Sequence, residues 1–225
     1  MSMAGKVQEN KKQKKEALLE NALELFLAKG LQETSIADIA KKAGVAKGTF
    51  YLYFKDKIDL RNILIAHEAS KLFEKATAKL DVEDDAWKAM DFEEQMVTII
   101  DHIINELVAN KRLLTFISKN LSWGYFKFAL LNNRLEEDVD FYKLFEEMIA
   151  NANYQLKDPE IMIFLIIELV SSTIYSCILY DEPVSIEEIK PFLYDSIRSI
   201  VRCHRTGGGE VKTEENMTKK CPKSL

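Results

Sequence analysis

Apolar residues recur at helical spacing through nearly all of the 225 residues, and little interrupts them, since the chain has eight glycines and four prolines. Amphipathic helices place apolar side chains at i, i+3, i+4 and i+7, whereas strands joined by tight turns draw heavily on Gly and Pro. The pattern predicts an all-α chain. Residues 12–29 put Leu18, Leu19, Ala22, Leu25 and Phe26 on one face, and Gly30 follows as a stop. A short helix is expected after Ser35, a second at about 46–53, and a longer one from near Asp56 to about Leu80. Beyond the acidic cluster Asp81–Asp85, long helices are expected at roughly 86–109, 112–130, 135–154, 159–180 and 186–204, about nine in all. Their breaks fall at Asn110, Asn132-Asn133, Lys157-Asp158-Pro159 and Glu182-Pro183. Pro191 either occupies the first turn of the last helix or kinks it, and Gly124 is a candidate bend. From Gly207 onward a polar, lysine-bearing tail reads as disordered.

Charge divides the chain. Residues 1–60 hold 11 Lys and Arg against 8 Asp and Glu, so this segment carries +3 within a chain of net charge −5. Residues 207–225 carry +1, which leaves −9 for the body from 61 to 206. Such asymmetry suggests a nucleic-acid or membrane contact at the basic end. Lys11, Lys12, Lys14 and Lys15 sharpen it, and residues 1–11 are expected to form a flexible basic arm. The plainer alternative is a solubilising start to a helix. The three cysteines, Cys177, Cys203 and Cys221, are odd in number and none has metal-ligand spacing. That excludes a disulfide-stapled secreted module, fits a reducing cytosol and makes a cytoplasmic protein the expectation.

One segment could be mistaken for a membrane span. Ile161 to Tyr180 is apolar and about 20 residues long, enough to cross a bilayer. Glu168 sits near its middle, where a charge is costly, and acidic residues flank both ends without Lys or Arg to orient it. A buried bundle helix or a subunit interface is expected instead. The N-terminus lacks the apolar run of a secretory signal.

The specific signal lies at 34–57, TSIADIAKKAGVAKGTFYLYFKDK. Two helices of about eight residues are joined through Gly44, the pattern of a DNA-binding helix-turn-helix. Ser35 with Asp38 three residues on opens the first helix as a capping-box variant. Gly44 can take positive φ in the tight turn, and Val45 tacks the turn to the core. Phe50 and Phe54, at i and i+4, share an inward face. The opposite face then presents Lys47 and Tyr51, flanked by Thr49 and Tyr53. Lys47 can reach guanine O6 or N7, and Gly48 lets the backbone approach DNA closely. Thr49, Tyr51 and Tyr53 can donate to phosphates, and Lys55 and Lys57 add charge there. Thr34 and Ser35 are expected to grip a phosphate at the N-terminus of the first helix. A three-helix packing domain with an incidental turn is the structural alternative.

These residues carry a resemblance to the TetR family of transcriptional regulators. The matching positions are Thr34, Ile36, Ile39-Ala40, Ala43-Gly44-Val45, Lys47-Gly48-Thr49, Tyr51, Phe54, Lys57 and Leu60, preceded by Ala22, Leu25, Phe26 and Gly30. Phe50 stands where Leu is frequent and Tyr53 where His is frequent. The resemblance spans about residues 14–62. It implies a homodimer in which 12–60 bind an operator in double-stranded DNA. Residues 61–206 would form a larger helical domain for dimerisation and effector sensing. It also implies a repressor that leaves DNA when a small molecule binds. The last two helices would pair with their mates, covering the apolar segment. Glu168 would be a charge inside that bundle or a counter-charge for a cationic effector. An effector cavity is expected among helices 86–154, with His102, Trp123, Tyr125, Phe126 and Phe128 as candidate lining, although such a stripe also describes plain core.

No cofactor, metal or catalytic residue is expected. The three histidines have Leu64, Ile99 and Val201 three residues earlier, so the Glu-x-x-His pairs of a carboxylate-bridged metal bundle are absent. Gly-rich phosphate loops, Gly-x-Ser-x-Gly elbows and Cys-x-x-Cys motifs are absent too. The remaining alternative is a helical adaptor that uses the basic arm on a membrane surface or on another protein.

Overall fold

A computed structural model describes residues 3–78, 80, 84–118 and 141–206. Among them are ten helices and one two-residue strand pair, so the all-α expectation holds. Helix α1 runs Met3–Lys29, α2 Ile36–Lys42, α3 Lys47–Phe50 and α4 Lys57–Thr77. They are followed by α5 at Asp85–Ala89, α6 at Phe92–Ala109, α7 at Lys111–Ser118 and α8 at Phe141–Asn151. Two long helices close the chain, α9 at Pro159–Tyr180 and α10 at Ile186–His204. Strand β1 (Gln155–Leu156) pairs antiparallel with β2 (Arg205–Thr206), tying the end of α10 to the approach to α9.

The boundaries follow from local chemistry. Gly30 takes φ 83° and returns its N–H to the Phe26 carbonyl at 3.0 Å, which stops α1 in the expected place. At its other end α1 begins at Met3, so residues 3–11 continue the helix and are not a flexible arm. The expected helix 86–109 is two helices. Met90 is extended (ψ 141°), and the Asp91 carboxylate accepts the Glu94 N–H at 2.9 Å, starting α6 afresh. Ser185 and Glu188 form a complete capping box on α10. Pro191 is the sixth residue of that helix, past its first turn, and so deletes the bond back to Glu187. The expected breaks at Gly124 and Asn132-Asn133, and the C-terminal tail from Gly207, lie outside the described residues.

One buried apolar cluster runs through the fold. It begins with Leu18, Leu19, Ala22 and Phe26 of α1 and includes Ile39, Phe50 and Phe54. It continues through Leu60 and Leu64 of α4 into Met96, Ile100 and Ile104 of α6. Met162, Ile166 and Ile174 of α9 and Leu193, Ile197 and Val201 of α10 complete it. Helix α4 packs on both α1 and α6 and joins the N-terminal helices to the body.

A polar seam holds α6 to α10. Arg198 grips Glu94 with two N–H donors at 2.7 and 3.0 Å, and Arg202 donates to Glu93 at 3.1 Å. The Tyr194 hydroxyl donates to Asp101, and Lys190 donates to Asn105 at 2.8 Å. Bidentate Arg–carboxylate pairs fix orientation as well as adding energy.

Helix α9 is the apolar segment of mean hydropathy 2.1, yet only 39% of its most apolar window is buried within the protomer. Ile161, Leu165, Glu168 and Ser172, at i, i+4, i+7 and i+11, form an exposed stripe. Helical phase puts Glu168 on the outer face of α9 within the protomer. On α10, Phe192 is 70% exposed.

Candidate nucleic-acid interface

The segment 30–57 is locked from three directions. First, Ser35 and Asp38 close the capping box: the Ser35 hydroxyl accepts the Asp38 N–H at 3.1 Å, and the Asp38 carboxylate accepts the Ser35 N–H at 3.1 Å. Lys29 adds an ion pair to Asp38 at 2.9 Å. That hydrogen bond, with the donors from Ser35, holds the Asp38 carboxyl down at about 2. Second, Gly44 turns the chain at φ 68°, and the Val45 N–H reaches the Ala40 carbonyl at 3.0 Å. A Cβ at Gly44 would meet open space, so backbone conformation, not room, requires glycine there. Third, Phe50 and Phe54 are buried with ring centroids 5.4 Å apart, so they pin the inner face of α3.

Pinning one face fixes what the other presents. Lys47 and Gly48 are exposed, Tyr51 is 52% exposed, and Thr49 and Tyr53 are half-buried. The expected helix 46–53 is shorter. α3 ends at Phe50, and 51–53 wind on as a turn, with the Leu52 N–H on Thr49 and the Tyr53 N–H on Phe50. Leu52 is 79% exposed beside Tyr51, an apolar group at this surface that the donor-based sequence reading passed over. Its signal was its phase, off the Phe50/Phe54 face.

Two expected phosphate contacts are corrected. Thr34 is buried at 1% exposure, and its hydroxyl donates to the Gly30 carbonyl at 2.7 Å. Lys57 turns inward, and its ammonium donates to the carbonyls of Leu31 at 2.6 Å, Thr34 at 2.8 Å and Gln32 at 3.3 Å. The cause is the same in both cases: the connection between α1 and α2 leaves backbone carbonyls outside any helical ladder, and these two side chains satisfy them. Ser35 and Lys55 remain exposed. The Ser35 oxygen accepts in the capping box, which leaves its O–H hydrogen to donate.

The body holds a cavity of about 380 Å³ lined by Trp87, Lys88, Gln95, Leu144, Glu147, Met148 and Asn151, between α5, α6 and α8. Its described lining includes neither His102 nor Glu168. His102 is half-buried, with Nδ1 2.9 Å from the Ala76 carbonyl, so it bridges α6 to α4. Trp123, Tyr125, Phe126 and Phe128 lie outside the described residues. The Gln95 amide donates to the Trp87 carbonyl at 3.0 Å, fixing one wall.

Comparison with known proteins agrees with this geometry. A profile of the family described as bacterial regulatory proteins, tetR family, matches residues 18–62. The HTH-type transcriptional regulator SrpR of Pseudomonas putida is 30% identical over 158 residues, covering 70% of this chain and 69% of SrpR. The HTH-type regulator YvdT of Bacillus subtilis (strain 168) is 38% identical over 35% of this chain and 40% of YvdT. The chain spans about half or less of the length of the first curated relatives it matches. The regulator FadR of Bacillus subtilis, solved in complex with stearoyl-CoA, superimposes with a TM-score of 0.56 at 17% identity. That superposition covers 82% of this chain and 98% of FadR, a likeness of fold.

Proposed function

The chain belongs to the TetR family of bacterial regulatory proteins, and from that premise we propose that it is a homodimeric, sequence-specific repressor that leaves a palindromic operator when a small molecule binds. The observation that carries this reading is the locked outer face of α3 and its following turn. Lys47 reads guanine edges, Gly48 brings the backbone close, and Thr49, Tyr51 and Tyr53 donate to phosphates. Lys55 adds charge, and Ser35 offers its hydroxyl hydrogen beside them. A helix of one turn makes few base contacts, so two symmetric half-sites are needed for useful specificity.

The exposed apolar stripe of α9 and Phe192 of α10 support dimerisation, since a second copy would cover them. The cavity supports an effector site. Gln95 places one wall on α6, and the same helix reaches α4 through His102 and Ala76. FadR was solved with an acyl-CoA bound. Here the cavity mixes Trp87, Leu144 and Met148 with Lys88, Gln95 and Glu147, which suits an amphipathic molecule. The test is a gel shift on DNA flanking the chain's own gene. Retardation abolished by scrambling the palindrome is expected, and indifference to scrambling would sink the reading.

A further inference from the structure

Helix α1 is longer than its packing requires. Among its described side chains the first buried one is Leu18, and residues 5–16 are exposed or half-buried. At 1.5 Å per residue, the turns ahead of Leu18 project about 20 Å beyond the core. Their charges are partly sorted by face. Lys11, Lys14 and Lys15 fall at i, i+3 and i+4, and Leu18 lies seven residues after Lys11, four after Lys14 and three after Lys15. Helical spacing therefore puts these lysines on the stripe that continues as Leu18, Ala22 and Phe26, the face turned to the protein core. Glu9, Gln13, Glu16 and Glu20 fall on the opposite face, where the Gln13 amide donates to Glu9 at 3.2 Å. Lys6 falls with the glutamates and Lys12 on the flank, but Lys11 and Lys14 stand exposed on the stripe ahead of Leu18, with Lys15 half-buried between them and the core.

The direction of the projection is set by two ion pairs. Lys29 meets Asp38 at the start of α2, and Glu24 meets Lys42 at its end. α1 and α2 therefore run antiparallel, and the N-terminal half of α1 continues past the C-terminus of α2. That is the end where the chain turns through Gly44 into α3.

We infer that the N-terminal turns of α1 form a second DNA-contacting element, a helical arm whose lysine face tracks phosphates flanking the half-site read by α3. The inference rests on the DNA-binding reading above. A polar helix of this length is marginal by itself in water, and a polyanion along its lysine side adds favourable charge contacts. Twenty ångströms corresponds to about six base pairs, so the contacts fall outside the palindrome core and carry no sequence preference.

The test uses the full chain and a duplex that it selects from a random library. Lys11, Lys14 and Lys15 are replaced together by Gln, which keeps helix propensity close to that of Lys. On the duplex with ten flanking base pairs a side, affinity at ~0.1 M salt should fall at least ~5-fold, and the log–log salt slope should flatten by about 0.9 for each phosphate no longer neutralised. On a duplex trimmed to the palindrome, wild type and variant should bind alike, with equal thermal midpoints and sequence preference. Equal affinity and slope on the long duplex would overturn the arm while leaving the α3 reading intact. A wild-type chain that selects no sequence would remove both. Lysine-dependent binding to phosphatidylglycerol vesicles, with DNA affinity unchanged by the substitutions, would assign the face to a membrane and overturn the inference.

Discussion

A single dihedral sets the angle between α2 and α3. Gly44 holds φ 68° with open space where a Cβ would sit, so Gly44→Ala should cost only the conformational penalty, about 1–2 kcal/mol. In urea unfolding that is a lower midpoint with an unchanged m-value. Lys55 and Lys57, two residues apart, should behave oppositely. Lys57→Met strands three carbonyls and should lower stability by about 1–2 kcal/mol, with the salt slope of DNA binding untouched. Lys55→Ala should leave stability alone and flatten that slope by about 0.9. Urea titration and binding at several salt concentrations check both. Asp38 gives a pH signature. Its folded carboxyl is held at about 2, below the ordinary 3.8. Its contribution is therefore present above pH 3.8 and disappears as pH falls toward 2. The stability gap between wild type and Asp38→Asn should close over that window.

The same residues show what a sequence discloses. Ser35 with Asp38, Gly44, and Phe50 with Phe54 were legible because each signal lies within four residues of its partner. Lys57 was misread because its hydrogen bonds run to carbonyls of the α1–α2 connection, 23–26 residues back, and Thr34 because a hydroxyl four residues from a carbonyl can serve that carbonyl or a phosphate equally well. A lysine aimed at carbonyls and one aimed at phosphates look identical in one dimension.

At the scale of elements, α6 is the hub. It meets α10 through Glu93, Glu94 and Asp101 and meets α4 through His102. Burial pushes the Asp101 carboxyl up, but donors from Tyr194 and Lys190 outweigh it and leave it below the ordinary value. Tyr194→Phe leaves burial less opposed. The Asp101 carboxyl should then titrate at higher pH by NMR, and the variant should lose stability at neutral pH but not below both carboxyl values. The start of α6 was legible in principle, since Asp91 precedes Glu94 by the three residues of a cap. A continuous apolar period from 86 to 109 concealed the break at Met90. The α6–α10 seam was not legible, because Arg198 and Glu94 are 104 residues apart and only the packed fold joins them.

For the whole molecule, an acidic body follows a basic N-terminal segment, and α9 and α10 face outward with apolar surface. Leu165 is 42% exposed in the protomer, so Leu165→Glu should leave helical content intact and yield a monomer by sedimentation at micromolar concentration. Operator affinity should fall with it. A dimer of wild-type strength would place the interface elsewhere. The outer phase of Glu168 was not legible from the apolar run alone, because α9 is apolar nearly all round and neighbouring helices decide which side is covered.

The central claim is that α3 reads sequence through Lys47. Its most direct measurement is competition binding of wild type and Lys47→Ala to the selected palindrome and to every single-base variant of one half-site. Wild type should discriminate at one G·C position by about 1–3 kcal/mol, and Lys47→Ala should lose that discrimination there while keeping it elsewhere. An unchanged preference profile in the variant would contradict the account.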